Sequence, residues 1–185
     1  MGYVAGSFVF GQQPTAAQWN VLWANDASFN NGSGIANLEI GGVTAVKLDY
    51  KFSVYRNGAW TSASGSLIVV PFDTKTFDTG SNVDVATNQG RFTAPIAGFY
   101  YFSTTVFASL TSGTGISVAV FKNGSEVERL YTTIVSATQN YASGGSTLLQ
   151  LSANDYIEIA FSGNGGAGIT GASNTFFTGF LVSAS

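Results

Sequence analysis

Residues 92 to 102 read Phe92-Thr-Ala-Pro95-Ile-Ala-Gly98-Phe99-Tyr100-Tyr101-Phe102, and no other stretch of the chain restricts its fold so tightly. Pro95 and Gly98 close a turn, after which side chains alternate between the two faces of a strand. Tyr100, Phe102, Thr104 and Val106 share one face, while Phe99, Tyr101, Ser103, Thr105 and Phe107 share the other. Both faces therefore carry rings.

The same grammar repeats from Phe52 to the end. Ile116, Val118 and Val120 alternate with Ser117 and Ala119. Lys122-Asn123-Gly124-Ser125 then supplies the Asn-Gly pair of a tight hairpin, whose two central residues both need positive φ. A return strand runs through Tyr131. Further strands are expected at 66–71, 98–108, 146–151, 156–161 and 174–183, the last alternating Phe176, Thr178, Phe180 and Val182 against Phe177, Gly179 and Leu181. Roughly eight to ten strands without a helix signal between them indicate a sandwich or jelly roll.

The first 50 residues differ. Pro14 to Asn30 has helix grammar, with Pro in the first turn, Ala16, Trp19, Leu22 and Trp23 at spacings of three and four, and Asn30-Asn31-Gly32 as a stop. A helix of about 16 residues is marginal alone in water, so its Trp-bearing stripe must pack against its own domain or against copies of itself. Ile35, Leu38, Ile40, Val43, Val46 and Leu48 follow through small polar residues and Gly41-Gly42, too thin a pattern for an independent core. The expected organisation is an attachment and stalk segment over 1–49, wound from several chains, and a β head over 50–185.

Charge supports association. Only 9% of residues are Asp, Glu, Lys or Arg, against 15 Phe and 23 Gly. A monomer so poor in charge would expose broad apolar patches, which favours burial of part of each exterior in an oligomer. A neutral surface rich in Ser, Thr and Asn is the alternative. The net charge of −3, with seven Lys and Arg spread singly, gives no footprint for a phosphate backbone, so nucleic acid is excluded as a partner. No apolar run reaches the roughly 20 residues that span a bilayer, and Met1-Gly-Tyr-Val-Ala-Gly6 lacks the pattern of a signal peptide. Synthesis in a cytoplasm, without membrane insertion, is the expectation.

The absence of His and Cys removes Ser-His-Asp catalysis, thiol nucleophiles and the commonest transition-metal ligands. A two-carboxylate glycosidase needs only a pair of Asp or Glu across a cleft. Glu126 with Glu128 and Asp73 with Asp78 are the candidate pairs, and both read better as solvated surface charge. Gly163-Asn-Gly165-Gly-Ala-Gly168 fits a dinucleotide fingerprint, but no helix pattern follows it, so it reads as a glycine-rich loop. Asn31-Gly32-Ser33 and Asn123-Gly124-Ser125 match glycosylation acceptors and read as turns. No catalytic, cofactor-binding or metal site is assigned.

Taken in order, these pieces resemble the globular head of complement component 1q and its tumour-necrosis-factor-like relatives. The matching segments are Phe92 with Gly98-x-Tyr100-x-Phe102, the hairpin Ile116-Ser-Val-Ala-Val-Phe-Lys-Asn-Gly124, the pair Gly144-Gly-Ser-Thr-Leu-Leu-Gln-Leu151 and Asn154-Asp-Tyr-Ile-Glu-Ile159, and the closing strand Thr175-Phe-Phe-Thr-Gly-Phe-Leu181. The resemblance covers about residues 50 to 185 and implies a ten-stranded jelly roll that assembles as a trimer, with binding on loops and outer faces. It makes Phe92, Gly98, Tyr100, Phe102 and Phe180 the core signature, and Phe99 and Tyr101 candidate subunit-interface residues. It also raises calcium, for which Asp73, Asp78, Asn82 and Asp84 supply oxygen ligands at a spacing that matches no calcium motif. Two positions depart from the family pattern: Val85 replaces an aromatic seven residues before Phe92, and Ala94 replaces a Cys.

Pro14-Thr-Ala-Ala-Gln-Trp19-Asn, Asp26-Ala-Ser-Phe-Asn-Asn-Gly32-Ser-Gly34-Ile and Val43-Thr-Ala-Val-Lys-Leu48 resemble stalk segments that precede the tips of bacteriophage tail or head fibres. That likeness implies association of Trp19, Leu22, Trp23, Ile35 and Leu38 around a threefold axis and attachment to other virion proteins. The expected function is a non-enzymatic trimeric virion protein whose head binds a host-surface glycan or envelope component. A purely structural capsid or tail decoration is the alternative, and the loops at 111–115 and 162–174, which hold no aromatic residue, speak for it.

Overall fold

The computed structural model describes residues 37–40, 43–46, 49–61, 65–163, 168–169 and 174–185. The expected helix at 14–30, with Trp19, Leu22 and Trp23, lies outside these residues, as does Ile35. The chain divides into two compact units, Met1–Leu48 and Asp49–Ser185. In the first, β1 (Asn37–Ile40) and β2 (Val43–Val46) pair antiparallel, with Ile40 opposite Val43. Leu38 lies in β1, opposite Ala45.

The second unit is all β. In chain order its strands are β3 (Lys51–Tyr55), β4 (Trp60–Thr61), β5 (Ile68–Val69), β6 (Thr74–Asp78), β7 (Val83–Asp84), β8 (Arg91–Thr93), β9 (Gly98–Leu110), β10 (Gly115–Lys122), β11 (Ser125–Ile134), β12 (Gln139–Leu151), β13 (Tyr156–Gly163), β14 (Gly168–Ile169) and β15 (Phe176–Ala184). They form two antiparallel sheets. The larger runs β12-β9-β15-β3-β6, with β14 and then β4 continuing beside the far end of β9. The smaller runs β11-β10-β13-β8-β7, with β5 beside the far end of β13. The chain changes sheets between β4 and β5, β5 and β6, β6 and β7, β8 and β9, β9 and β10, β11 and β12, β12 and β13, and β13 and β14, and this is the jelly roll expected from the sequence.

Alternation decides what lies between the sheets. On β9 the series Gly98, Tyr100, Phe102, Thr104 and Val106 is buried, while Phe99 is exposed and Tyr101 half-buried. Ile116, Val118 and Val120 of β10, with Ile157, Ile159 and Phe161 of β13, close the core from the smaller sheet. At its centre Phe52 stacks on Phe92 at 5.0 Å and meets Phe177 edge-on at 4.9 Å, and Phe92 lies 5.5 Å from both Tyr100 and Phe102. Such pairs contribute about 0.5–1.5 kcal/mol each beyond the area they bury.

Two local features fix this arrangement. The β10–β11 turn places Asn123 at φ 52° and Gly124 at φ 81°, the left-handed pair that the Asn-Gly sequence predicts. Gly98 lies against the end of β15, where a Cβ would meet the Ser183 carbonyl oxygen at 2.5 Å, so only glycine admits that approach. The β10–β11 register also slips twice, between Val118 and Ala119 and between Val120 and Phe121, which kinks this edge of the smaller sheet.

Candidate functional site

The outward face of the larger sheet carries an uncovered apolar strip. Because Tyr100 and Phe102 point inward, Phe99 and Tyr101 must point outward. Register then sets their neighbours: Leu148 of β12 stands opposite Tyr101 on one side and Phe180 of β15 on the other, with the Tyr101 and Phe180 rings 5.3 Å apart. Leu148 is 56% exposed and Phe180 47%. Phe99 and Val182 near the β15 end, and Phe77 opposite Ser53 on β6, are exposed as well. Three strands thus place large apolar side chains side by side in water.

Phe180 corrects the reading of the closing strand. It was expected in the core with Phe92, Gly98, Tyr100 and Phe102, but alternation from Phe177, which is wholly buried, turns Phe177 and Gly179 inward and Phe180 outward. Phe177 fills the core place. Leu148 and Phe77 were not singled out from sequence. Leu148 stands in the run Thr147-Leu148-Leu149-Gln150-Leu151, whose successive apolar residues hide the period of two.

The acidic residues are engaged locally. Arg129 holds Glu126 through two hydrogen bonds of 2.8 and 2.7 Å, and the Thr147 hydroxyl donates to Glu128. Asp73 pairs with Arg56 at 2.7 Å and accepts from the Asn57 amide. Burial works to raise the pKa of Asp78, but the Lys75 ammonium and the amides of Val83 and Asn82 outweigh it and hold the carboxyl below its ordinary value. Asp84 is brought to about 2 by the amides of Asn88, Ala86 and Thr87. Asp73, Asp78 and Asp84 thus anchor turns, and among the described residues no three His, Cys, Asp or Glu side chains converge as a metal centre would require. A strand, β14, includes Gly168 of the glycine-rich run, where a dinucleotide site would need a helix.

Asp155 ties two turns together. Lys122 Nζ lies 2.8 Å from its Oδ2, Asn123 Nδ2 donates to Oδ1 at 2.8 Å, and the Ser152 amide donates to Oδ2 at 2.8 Å. These contacts, Lys122 foremost, lower its pKa to about 2. The two departures from the family pattern are absorbed: Val85 packs against the core, and the buried Ala94 exchanges backbone hydrogen bonds with Asp155 and Asn154.

Comparison with known proteins places this geometry. A model of the C1q domain matches residues 51–182. The globular domain of zebrafish complement 1qA protein is similar in structure, with a TM-score of 0.55 and 22% identity over 74% of this chain and 99% of that one. The Eiger TNF of S. frugiperda gives a TM-score of 0.56 at 11% identity over 75% and 96%, and murine APRIL at pH 8.0 gives 0.54 at 15% over 72% and 99%.

Proposed function

We infer the role of this chain from the premise that it belongs to the C1q domain family, to which residues 51–182 assign it. We propose a non-enzymatic homotrimer on a bacteriophage particle, with the 1–49 segment attached to other virion proteins and the jelly-roll head binding a host-surface component. The observation that carries the trimer is the row Leu148–Tyr101–Phe180, flanked by Phe99 and Val182: large apolar side chains aligned across three paired strands, with Leu148 and Phe180 56% and 47% exposed. An exposed patch of this kind calls for a protein partner, and a second and third copy supply the same face without any new sequence. The virion placement draws its support from the likeness of 14–48 to fibre stalks.

Light scattering on the purified chain is expected to return about three times the 19.2 kDa subunit mass, and a monomer would overturn the trimer. Immunogold labelling of virions is expected to place the protein on a fibre or capsid projection; unlabelled particles would overturn the virion reading while leaving the trimer standing.

A further inference from the structure

A cleft of about 450 Å³ opens beside the smaller sheet, lined by Val69 and Pro71, by Ala86, Thr87, Asn88 and Gln89, and by Glu158. Its loop wall is preorganised. The Asp84 carboxylate accepts from the amides of Ala86, Thr87 and Asn88 at 2.8, 3.0 and 2.9 Å, while the Arg91 amide returns to the Asn88 carbonyl at 2.9 Å. Glu158 is only 6% exposed, yet half of its accepting capacity is unused. Its Oε1 accepts from Arg91 Nε at 2.9 Å, and no hydrogen bond from a described residue reaches Oε2. Arg91 is itself held in place, its guanidinium carbon 4.1 Å from the centre of the Tyr156 ring. A buried carboxylate oxygen needs a donor, and one that lines an open cleft takes it from solvent or from a ligand that replaces the solvent. Among the described residues, the side chains of Thr87 and Gln89 make no hydrogen bond, and Asn88, which donates through its side-chain nitrogen to Asp84 at 3.3 Å, accepts none at its side-chain oxygen.

We propose that this cleft binds the hydroxyl edge of a neutral saccharide, a proposal that rests on the host-binding reading and gives it a location. Glu158 and Arg91 carry opposite charges and pair with each other, so the cleft brings little net charge to draw an ionic ligand and suits a neutral one better. Vicinal sugar hydroxyls donate to a carboxylate and accept from amides at once, and the apolar face of the ring suits Val69 and Pro71. The cleft lies on the smaller sheet, away from the apolar strip of the larger one, so the two surfaces are used independently.

The test is a nitrogen-15 chemical-shift titration of the full chain with the methyl glycosides of glucose, galactose, N-acetylglucosamine and rhamnose, each to about 50 mM, a range that captures single-ring affinities. At least one sugar is expected to shift residues 86–89 and 158, and Thr87→Val with Gln89→Ala, whose side chains hold nothing in the fold, is expected to weaken it tenfold or more. Glu158→Gln, which keeps an acceptor for Arg91, is expected to weaken it as well. The proposal is overturned if no sugar moves these residues, if the shifts survive the double variant, or if calcium chloride alone reproduces them. Adhesion of the trimer to host cells separates the two readings. Adhesion with a silent cleft overturns the cleft and leaves host binding intact, whereas sugar in the cleft without adhesion supports the cleft and overturns host binding.

Discussion

Gly179 stands where two core rings converge: a Cβ there would meet Phe102 Cδ1 at 2.6 Å and Phe52 Cε1 at 2.9 Å. Gly179→Ala is therefore expected to overpack the centre and cost about 1–3 kcal/mol, read as a lower urea midpoint with an unchanged slope. Asp155 and Asp84 contribute to the acid side of stability, alongside Asp78 and Glu126, whose pKa values are lowered as well. The first two titrate near 2 in the folded chain, below the ordinary value of 3.8. A depressed carboxyl stabilises the fold above its unfolded pKa and loses that contribution as pH falls through its folded pKa. Stability is thus expected to drop between about pH 4 and pH 2, and Asp155→Asn is expected to flatten that drop in thermal melts taken across the interval; an unchanged slope would show that Asp155 takes no part. At this scale the sequence was legible where alternation was clean: Phe92, Tyr100 and Phe102 are 2%, 0% and 1% exposed. It failed at Phe180, because neighbouring Phe176, Phe177 and Phe180 leave the parity of the strand undecided until its partners are known. Glu158 was hidden for a related reason, since a single Glu between Ile157 and Ile159 marks the outer face of a strand without saying what covers it.

Elements were read from period and turn chemistry, and both act locally. The Asn123-Gly124 hairpin, the long β9 and the closing β15 follow directly from residues near one another in sequence. The two-residue strands β4, β7 and β14 did not, because two residues carry no period and their pairing is decided by distant chain, whereas β5 lies within the strand expected at 66–71. The same limit applied to the apolar strip, which exists only once β12, β9 and β15 lie side by side in their observed register. Since Leu148 and Phe180 support no core contact of their own sheet, changing both to Ser is expected to leave the circular dichroism spectrum and the urea midpoint of the subunit unchanged at low concentration. The scattering mass is expected to fall to one subunit. A trimer that survived this pair of changes would move the interface elsewhere.

For the whole molecule, the head was legible because its signature residues recur in order along the chain, whereas the surface that the head uses was not, because the cleft joins residues 69, 71, 86–89 and 158 from separate strands and loops. The proposed attachment rests on the 1–49 segment. Replacing Trp19 and Trp23 by Ala is expected to release the protein from purified virions while the head keeps its thermal transition; particles that retain the variant would place attachment outside the 14–30 segment. The twice-slipped pairing of β11 with β10 carries a last consequence. β11 ends the smaller sheet, and an unbroken edge of that length would accept a strand from any neighbour. Its two offsets, with Glu128 and Arg129 between them and Glu126 just beyond the second, spoil the template for such addition. Strand addition by another copy is thereby discouraged at this edge of the smaller sheet, while the trimer proposed above would associate through a face, which closes around an axis. Neighbouring subunits of such a trimer could then stand close together without this edge seeding a fibril.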